Sequence, residues 1–519
     1  MTTSIREVAV APLSRADAER LLPGLSSGRQ TLERRVLRAR CLKYLESFDV
    51  AWAELSELLP QIKDPELSAR VAVDLLHLAY YLVRGEEVAR LDALAEKHAA
   101  TDPLMLAELR LGRSINYTAA NEITEALREA RWADDTLAAA PRGRGRDLVA
   151  TRVQRQLAHL LSHSGDYLAA QAAAEATARH AARVGDPWES AWATYTSGFT
   201  NWYAGRNDRA VDDFTRAEEA LRVYGSSVWR YTLLCLARAR MERGELADGD
   251  RLARQSATGA PEDQAHIALL RGEAEVAERI LSRAPKGFPA DEHFRDCVRG
   301  IVRGQRGDPR GAVRALDESA KEFESRGMGH WAIGAALHAA YWRERLVRGA
   351  GASRVAHLVR DIAARGGEGF AYYLPEVAVW AARATERVPP GELRVPSGES
   401  GGLAAVRVVA QAMRARADAA LRRAKSDADV AVGASALDEA TFHLRGLGLT
   451  WRELGILRQM EQLSREGAHL DRDALAKRLS VSPNTLRVHL TRIRAKLDVG
   501  DRRGDDVLLE AALTRRPAG

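Results

Sequence analysis

The chain has 519 residues, of which 46% are hydrophobic and 29% are charged, and its formal net charge is +6. This balance excludes a largely disordered chain, and the length exceeds what one hydrophobic core supports, so several domains or a repeat array are expected. No run approaches the ~18 apolar residues that a membrane-spanning helix needs, and the three cysteines show neither disulfide nor zinc-ligand spacing. The first residues lack a signal peptide's apolar core, so we expect a cytoplasmic protein that does not enter a membrane.

Residues 1–30 form an N-terminal segment with few signals, and we expect its first ten residues to be frayed. Residues 31–387 are rich in Ala, Leu, Arg and Glu, which favour helices. Short breaks interrupt this region at Gly165, Gly205, Gly244 and Gly307, and the first three lie 40 and 39 residues apart. A period of this length is typical of a helical solenoid.

The clearest repeat unit covers residues 191–205 and 208–221, two helical stretches joined by a turn at Gly205. It resembles a tetratricopeptide repeat, with small residues where the helices cross and an aromatic residue in the second helix. One such pair cannot bury its apolar face alone, so neighbouring pairs must stack. We predict about eight or nine pairs. Further units open near Arg35, Val71, Met105, Thr151, Tyr231, Phe294 and Trp331.

A Pro- and Gly-rich linker is predicted at residues 388–402. The stretch 386–402 holds three Pro and four Gly, a composition that breaks regular structure. Residues 403–446 follow as a terminal helical pair, with helices predicted over 403–424 and 432–445. This pair connects the solenoid to a separate C-terminal domain at residues 447–519.

The most informative stretch, residues 482–497, is typical of a DNA recognition helix. Ser482 is a good N-cap and Pro483 suits the first helical position. One narrow stripe of the helix is apolar and must face a core, namely Leu486, Leu490, Ile493 and Leu497. The opposite side carries residues suited to base edges, which are Asn484, Arg487, Val488, Thr491 and Arg492.

A second helix precedes this one at residues 471–479, capped by Asp471, and only Ser480 and Val481 separate it from Ser482. This spacing is typical of a helix-turn-helix. The region resembles the LuxR-type DNA-binding domain. The opening of that family's signature is matched by Leu449, Thr450, Arg452 and Glu453, and the remainder by Ser482, Thr485, His489, Ile493, Lys496, Leu497, Val499 and Arg502.

The helix-turn-helix is predicted to contact both bases and phosphates. The five residues opposite the apolar stripe, Asn484, Arg487, Val488, Thr491 and Arg492, are expected to contact bases in the major groove. Phosphate contacts are expected from Thr485, His489, Arg494, Lys496, Lys477 and Arg502. Residues 450–519 hold 14 Lys and Arg against 10 Asp and Glu, a net charge of +4, so most of the chain's excess charge lies in this domain.

A winged-helix domain is the alternative for this region. The stretch from Thr450 to Ser482 is longer than the LuxR-type resemblance implies, with residues 465–469 filling the excess, and winged-helix domains carry a similar recognition string. A winged helix would continue into a β-hairpin of alternating apolar residues. Residues 507–513 indicate a helix instead, which favours the LuxR-type domain.

Signals for catalysis, metals or cofactors are weak. His159 and His163 have the i, i+4 spacing of metal ligands, but no glutamate follows His159. The glycine-rich stretches 349–353 and 366–369 follow no strand and lack a phosphate-binding lysine. We therefore predict no enzyme, no cofactor and no metal. Aromatic pairs such as Tyr80-Tyr81 and Trp202-Tyr203 could line a ligand groove, but aromatic residues in such repeats mostly pack between helices.

The resulting hypothesis is an all-α transcriptional regulator. A tetratricopeptide-like solenoid would bind an unknown effector or protein in its groove, and a C-terminal LuxR-type domain would bind double-stranded DNA as a homodimer. The alternative is a scaffold or adaptor that binds a protein partner through the solenoid and whose C-terminal domain does not read DNA.

Overall fold

The computed structural model describes residues 4–27, 29–99, 101–256, 261–270, 273–284, 289–347, 349–369, 374–387, 406–415, 447–465, 471–479, 481–499 and 504–514, with Ala419 and Leu444 as single residues. Within these ranges the regular structure is helical and no strand occurs. The predicted all-α fold with tetratricopeptide-like helical repeats is confirmed.

The helices follow one another with short connections. In chain order they are α1 (Ile5–Val10), α2 (Arg15–Leu25), α3 (Leu32–Tyr44), α4 (Phe48–Leu58), α5 (Pro65–Tyr81), α6 (Gly85–Ala99), α7 (Pro103–Ala119), α8 (Ile123–Ala138), α9 (Arg144–Ser164), α10 (Tyr167–Val184), α11 (Pro187–Tyr203), α12 (Asn207–Arg222), α13 (Ser227–Glu242), α14 (Leu246–Ser256), α15 (Pro261–Leu270), α16 (Ala274–Arg283), α17 (Pro289–Gln305), α18 (Pro309–Ser325), α19 (Gly329–Leu346), α20 (Ala352–Ala364), α21 (Pro375–Arg387), α22 (Trp451–Arg465), α23 (Arg472–Arg478), α24 (Pro483–Lys496) and α25 (Asp506–Thr514). A 3-10 turn, Leu59–Gln61, follows α4, and residues 406–415 are also helical.

From α3 to α20 the described helices form nine consecutive pairs, in agreement with the predicted number. Most pairs share one turn geometry. The amide of the residue just before the second helix donates to a carbonyl five positions back, as in Asp166 N to Leu161 O at 2.9 Å and Arg206 N to Asn201 O at 2.8 Å. The preceding residue is left-handed in seven of the described turns, at Glu46, Val83, Asn121, Gly165, Gly205, Gly244 and Gly307.

This turn geometry explains why the spacing of glycines in the sequence indicated only some of the helical pairs. The left-handed position favours glycine because a Cβ there crowds the following carbonyl. The first three turns nevertheless have Glu46, Val83 and Asn121 at this position, so the glycine spacing does not show the repeat period there. The long interval between Gly244 and Gly307 also contains a pair that was not predicted, α15 and α16. The sequence therefore predicts the middle of the array better than its first repeats.

The left-handed Val83 gives a test of this turn geometry. Val83 has φ 58° and is 60% exposed, so its side chain contributes little packing while its backbone is strained. We expect Val83→Gly to raise the free energy of unfolding by about 1 kcal/mol, seen as a higher thermal midpoint. The matched control is Val50→Gly, also at an exposed valine but inside α4, which should lower stability by about 0.5–1 kcal/mol. Equal effects of the two substitutions on stability would contradict backbone strain at Val83.

The chain divides into two compact units. The first comprises residues 1–235, 288–290 and 324–330, and the second comprises residues 236–287, 291–323 and 331–519. The predicted boundaries of the solenoid, linker and C-terminal domain stay predictions.

In the first unit, the described part of the N-terminal segment, residues 4–27, packs on the repeat helices. The expectation of frayed residues at the start of the chain is therefore wrong for residues 4–10. The segment's helix α1 begins with a capping box between Ser4 and Glu7. Arg40 donates to the carbonyl oxygens of Ala9 at 2.6 Å and Ala11 at 3.0 Å, and Arg152 donates to Leu13 at 2.6 Å. These guanidinium contacts and buried residues such as Leu13 make the segment part of the first unit's core.

A chain of buried ion pairs, which we call the buried ion chain, crosses the first helices of four successive pairs. Arg70 on α5 pairs with Glu108 on α7 at 2.5 Å, and Glu108 also faces Arg152 on α9 at 3.7 Å. Glu189 on α11 then pairs with Arg152 and Arg155, each at 3.3 Å. Three guanidiniums therefore face Glu108 and Glu189, and the buried Asp74 of α5 also acts on Arg70. Breaking such a buried pair is costly because it leaves a desolvated charge uncompensated.

In the second unit, the C-terminal helices α22 to α25 enclose a core of their own. The turn that leads into α22 lies against the end of α17. Gly448 has φ 83°, and a Cβ added there would clash with the backbone oxygen of Gln305. Only glycine combines this backbone conformation with so close an approach.

Several sequence predictions concern residues outside the described ranges. The linker at 388–402 is one, and so is most of the helical pair predicted over 403–446, of which residues 406–415 are helical. Among the described helices, none has both the length and the apolar character to cross a bilayer. The described residues also hold no group of three or more His, Cys, Asp or Glu arranged to bind a metal ion.

Candidate nucleic-acid interface

The first helix of the C-terminal domain, α22, is fixed at its start by a capping box. The amide of Glu453 donates to Thr450 Oγ1 at 3.1 Å, and the amide of Thr450 donates to Glu453 Oε2 at 2.7 Å. Leu449 is fully buried beside them. Arg452 donates to the carbonyl oxygen of Leu479 at 3.0 Å and so holds the end of α23. The residues that match the opening of the LuxR-type signature therefore stabilise the start of α22 and its packing against α23.

Two capped helices, α23 and α24, lie where the sequence predicts the helix-turn-helix. Asp471 caps α23 by accepting the amides of Asp473 at 3.2 Å and Ala474 at 3.3 Å. Ser482 caps α24 by accepting the amide of Thr485 at 3.0 Å, and Pro483 takes the first helical position. The caps satisfy amides that have no partner within their own helix, so they fix where both helices begin.

The apolar stripe of α24 lies in the domain core. Leu486, Leu490, Ile493 and Leu497 are all buried. They belong to one cluster with residues from the other three helices, including Leu457, Leu475 and Leu508. Burying four such side chains fixes the rotation of α24 about its axis and hence which residues it exposes.

The five predicted base-facing residues lie together on the exposed side of α24. Asn484, Arg487, Val488, Thr491 and Arg492 are exposed, at positions i, i+3, i+4, i+7 and i+8. Arg487 donates to Asn484 Oδ1 at 2.8 Å, and the Thr491 hydroxyl donates to the Arg487 carbonyl oxygen at 3.0 Å. The face thus offers guanidinium donors, an amide and the 43% exposed Val488 methyl groups. These are the chemical groups that read base edges and thymine methyls.

The predicted phosphate-contacting residues divide into exposed and internally bound ones. Thr485 and Lys477 are exposed at the two ends of the turn. Arg494 instead donates to the Gly504 carbonyl oxygen at 3.2 Å and lies 3.6 Å from Asp505. Lys496 donates to both oxygens of the buried Glu453, at 2.9 and 3.2 Å, with its side chain 14% exposed. The phosphate contacts of these residues stay predictions, and Arg502 lies outside the described residues.

His489 is partly buried next to this ion pair. Burial lowers its pKa, and nearby Arg492, Arg452 and Lys496 add to that effect, although Glu453 opposes it. The imidazole is therefore favoured in its neutral form near pH 7 and can offer a phosphate one N–H but no charge.

A second contact that the sequence did not suggest ties the helix-turn-helix to the last helix. Arg472, the first residue of α23, forms two hydrogen bonds with Asp505 at 2.6 and 3.0 Å. The pairing partners are 33 residues apart and neither belongs to a periodic pattern. Such a long-range bidentate pair has no local sequence signal.

The last helix and the connector bear on the choice between LuxR-type and winged-helix domains. Residues 506–514 form α25, with Leu508, Leu509 and Ala512 buried, as the helical prediction required. No β-hairpin occupies this position. Of the excess connector at residues 465–469, residues 466–469 lie outside the described ranges.

Comparisons with known proteins give structural neighbours but no family for the chain. No protein-family model and no curated protein matches the chain. Among solved structures, a Rap protein complexed with Competence and Sporulation Factor is similar at 14% identity and a TM-score of 0.39, covering 70% of this chain and 100% of that one. The apo form of RapI is similar at 14% identity and a TM-score of 0.33, covering 64% and 92% respectively. These low scores support no inference about function.

The histidine and aromatic candidates take mainly structural positions. His159 and His163 lie on α9, where burial lowers their pKa values to about 3 and about 4. His159 stacks on Phe199 with ring centroids 4.4 Å apart. Trp202 and Tyr203 are buried in the core, whereas Tyr81 is 47% exposed. The two aromatic pairs thus differ in solvent exposure, since Trp202 and Tyr203 are core residues and Tyr81 reaches the surface.

Proposed function

We propose that the chain is a transcriptional regulator whose α24 reads duplex DNA. One observation carries the proposal: five exposed side chains with base-reading chemistry share one face of the second helix of a helix-turn-helix, while the opposite face is buried. A helix presented in this way fits the major groove, and its exposed arginines can form bidentate contacts with guanine. The resemblance to the LuxR-type domain agrees with this assignment.

The proposal is tested with duplexes selected from a random pool by the full-length chain. Affinity should fall steeply as salt rises, because phosphate neutralisation releases counterions. Arg487→Ala should weaken the selected duplex by about 5- to 150-fold, equivalent to about 1–3 kcal/mol, and relax preference at one base. Arg90→Ala, at a 59% exposed arginine on α6, is the matched control and should leave binding unchanged. Equal losses on selected and random duplexes would remove the recognition role of α24.

We further propose that two chains bind two half-sites, because one small C-terminal domain buries little DNA surface. The partly buried Val507 and Leu513 of α25 are the apolar side chains available for pairing. Binding stoichiometry on duplexes with one or two half-sites measures this directly. Saturation of one half-site by one chain, with no gain from a second half-site, would contradict it.

The second candidate function is a scaffold or adaptor that binds a protein partner through its helical repeats. The stacked helical pairs α3 to α20 favour this candidate, because such arrays present extended binding surfaces. The two functions differ in one measurement. A folded chain that binds no duplex at low salt would contradict DNA reading and leave the adaptor as the remaining candidate, whereas salt-dependent duplex binding would show that the chain is not an adaptor alone.

A further inference from the structure

The N-terminal segment, residues 4–25, lies against the repeat helices in the way that a bound peptide does. Between α1 and α2 its backbone is extended, with φ −69° and ψ 153° at Ala11. Guanidinium groups of two repeat helices, Arg40 on α3 and Arg152 on α9, donate to its main chain. The accepting carbonyl oxygens belong to alternate residues, namely Ala9 and Ala11 at 2.6 and 3.0 Å from Arg40, and Leu13 at 2.6 Å from Arg152.

Carboxylates of the repeat helices hold both guanidinium groups in place. Arg40 pairs with Asp74 on α5 at 2.5 Å, and Arg152 pairs with Glu189 on α11 at 3.3 Å. Because these carboxylates compensate the positive charges, what the guanidiniums offer the segment is N–H donors. A peptide backbone supplies neutral acceptors for such donors, whereas an anionic ligand would have to compete with buried carboxylates.

The far end of the extended stretch is bound through polar side chains. Arg144, at the start of α9, donates to Asp17 Oδ2 at 2.7 Å and to the Ser14 hydroxyl at 3.1 Å. Asp186, which caps α11, accepts the amide of Ala16 at 3.1 Å. These charge-assisted contacts fix the position of the segment's carboxylate relative to its backbone. We call the four residues that hold the segment, Arg40, Arg144, Arg152 and Asp186, the segment site.

One apolar side chain of the extended stretch is buried. Leu13 is 3% exposed and belongs to the same core cluster as Leu37 on α3 and Leu75 on α5. The helices α3, α5, α9 and α11 are the first helices of their pairs, and stacked pairs present such helices as an extended binding surface. The segment therefore shows what this surface takes: an extended backbone, a leucine and, four residues later, a carboxylate.

We propose that the segment site is a peptide-binding site in which residues 9–17 act as an internal ligand. A partner peptide of the same chemistry, extended and with a leucine followed four residues later by an acidic residue, competes with the segment. The internal copy is tethered and has a high effective concentration, so it restrains binding of the partner. The inference goes beyond DNA reading and does not depend on it.

The test uses the full-length chain with a protease site inserted at Gly28, between α2 and α3. After cleavage under native conditions, a fluorescently labelled peptide of residues 4–25 is added in excess and its anisotropy is measured. We expect saturable binding of one peptide per cleaved chain, and at least about 10-fold weaker binding to the uncleaved chain, where the tethered copy competes. No saturable binding, equal binding to both chains, or unfolding on cleavage, seen by circular dichroism, would overturn the proposal.

Peptide variants test the apolar anchor. Leu13→Ala in the labelled peptide should weaken binding to the cleaved chain at least about 10-fold, because a buried leucine side chain is removed. The matched control is Ile5→Ala, at a residue that is 41% exposed, which should change binding by less than about 3-fold. Equal losses from the two substitutions would show that the leucine is not an anchor and would contradict the proposed ligand chemistry.

A double-mutant cycle tests the contact between the chain and the peptide's carboxylate. Arg144→Met in the cleaved chain and Asp17→Asn in the peptide should each weaken binding about 3-fold or more. Together they should weaken it little further, because both remove the same contact. Arg90→Met, at an exposed arginine on α6, should leave binding unchanged. Losses that add in full would show that Arg144 does not hold Asp17 of the peptide and would overturn the site.

Discussion

Glu108→Gln should lower the free energy of unfolding by about 3–5 kcal/mol, because it removes one partner from a buried ion chain. Arg70 is fully buried and pairs with Glu108 at 2.5 Å, so the substitution leaves a desolvated guanidinium without its carboxylate. Chemical denaturation measures the loss. Glu219→Gln, at an exposed carboxylate on α12, is the matched control and should change stability by less than about 0.5 kcal/mol.

The effect of Glu108→Gln should depend on pH. Burial would raise the pKa of Glu108, but Arg70 and Arg152 outweigh burial and hold the pKa below its ordinary value of 4.5. A carboxylate with a lowered pKa contributes stability that is present above 4.5 and lost as the pH falls through the folded-state value. The difference between wild type and variant should therefore be full at pH 7 and shrink below pH 4.5. A difference that grew on acidification would contradict the ion-pair role.

Glu453→Gln should destabilise the C-terminal domain by about 2–3 kcal/mol, less than for a fully buried pair because Lys496 retains some exposure. This is a large share of the stability of a domain of this size. Hydrogen exchange of the full-length chain measures the effect in peptides from α22, α24 and α25, which should lose protection while the repeat helices keep theirs. Glu510→Gln, exposed on α25, is the control.

The double variant Glu453→Gln with Lys496→Met separates a stability role from a phosphate role for Lys496. If the two residues form an ion pair, removing the lysine charge should restore part of the protection lost in Glu453→Gln. If Lys496 instead contacted phosphate, the double variant would remain as unprotected as the single one, and Lys496→Met would weaken all duplexes without changing exchange. The two outcomes are distinct in one experiment.

Local signals made the caps and the buried face of α24 predictable. Ser482, Pro483 and Asp471 act within one helical turn, so their effect is readable from neighbouring residues. The stripe at Leu486, Leu490 and Ile493 follows from helical periodicity alone. The exposed face is then fixed as the remainder, which is why the candidate base-reading residues were found together.

Long-range pairing was not predictable in the same way. Lys496 and Arg494 have the periodicity of exposed cations, but their partners Glu453 and Asp505 come from other segments of the chain. The buried ion chain was missed for the same reason, since Glu108 and Glu189 look like ordinary solvated residues until the helices stack. Periodicity reports which way a side chain points, whereas pairing depends on which helices become neighbours.

The close approach of Gly448 to Gln305 limits how the two parts of the second unit can be recombined. Grafting a different C-terminal domain onto these repeats would have to keep glycine at this position, since any other residue would push the incoming turn away from α17. A replacement domain with glycine at this position could therefore keep the present orientation against α17. A domain without it would pack against α17 at a different angle.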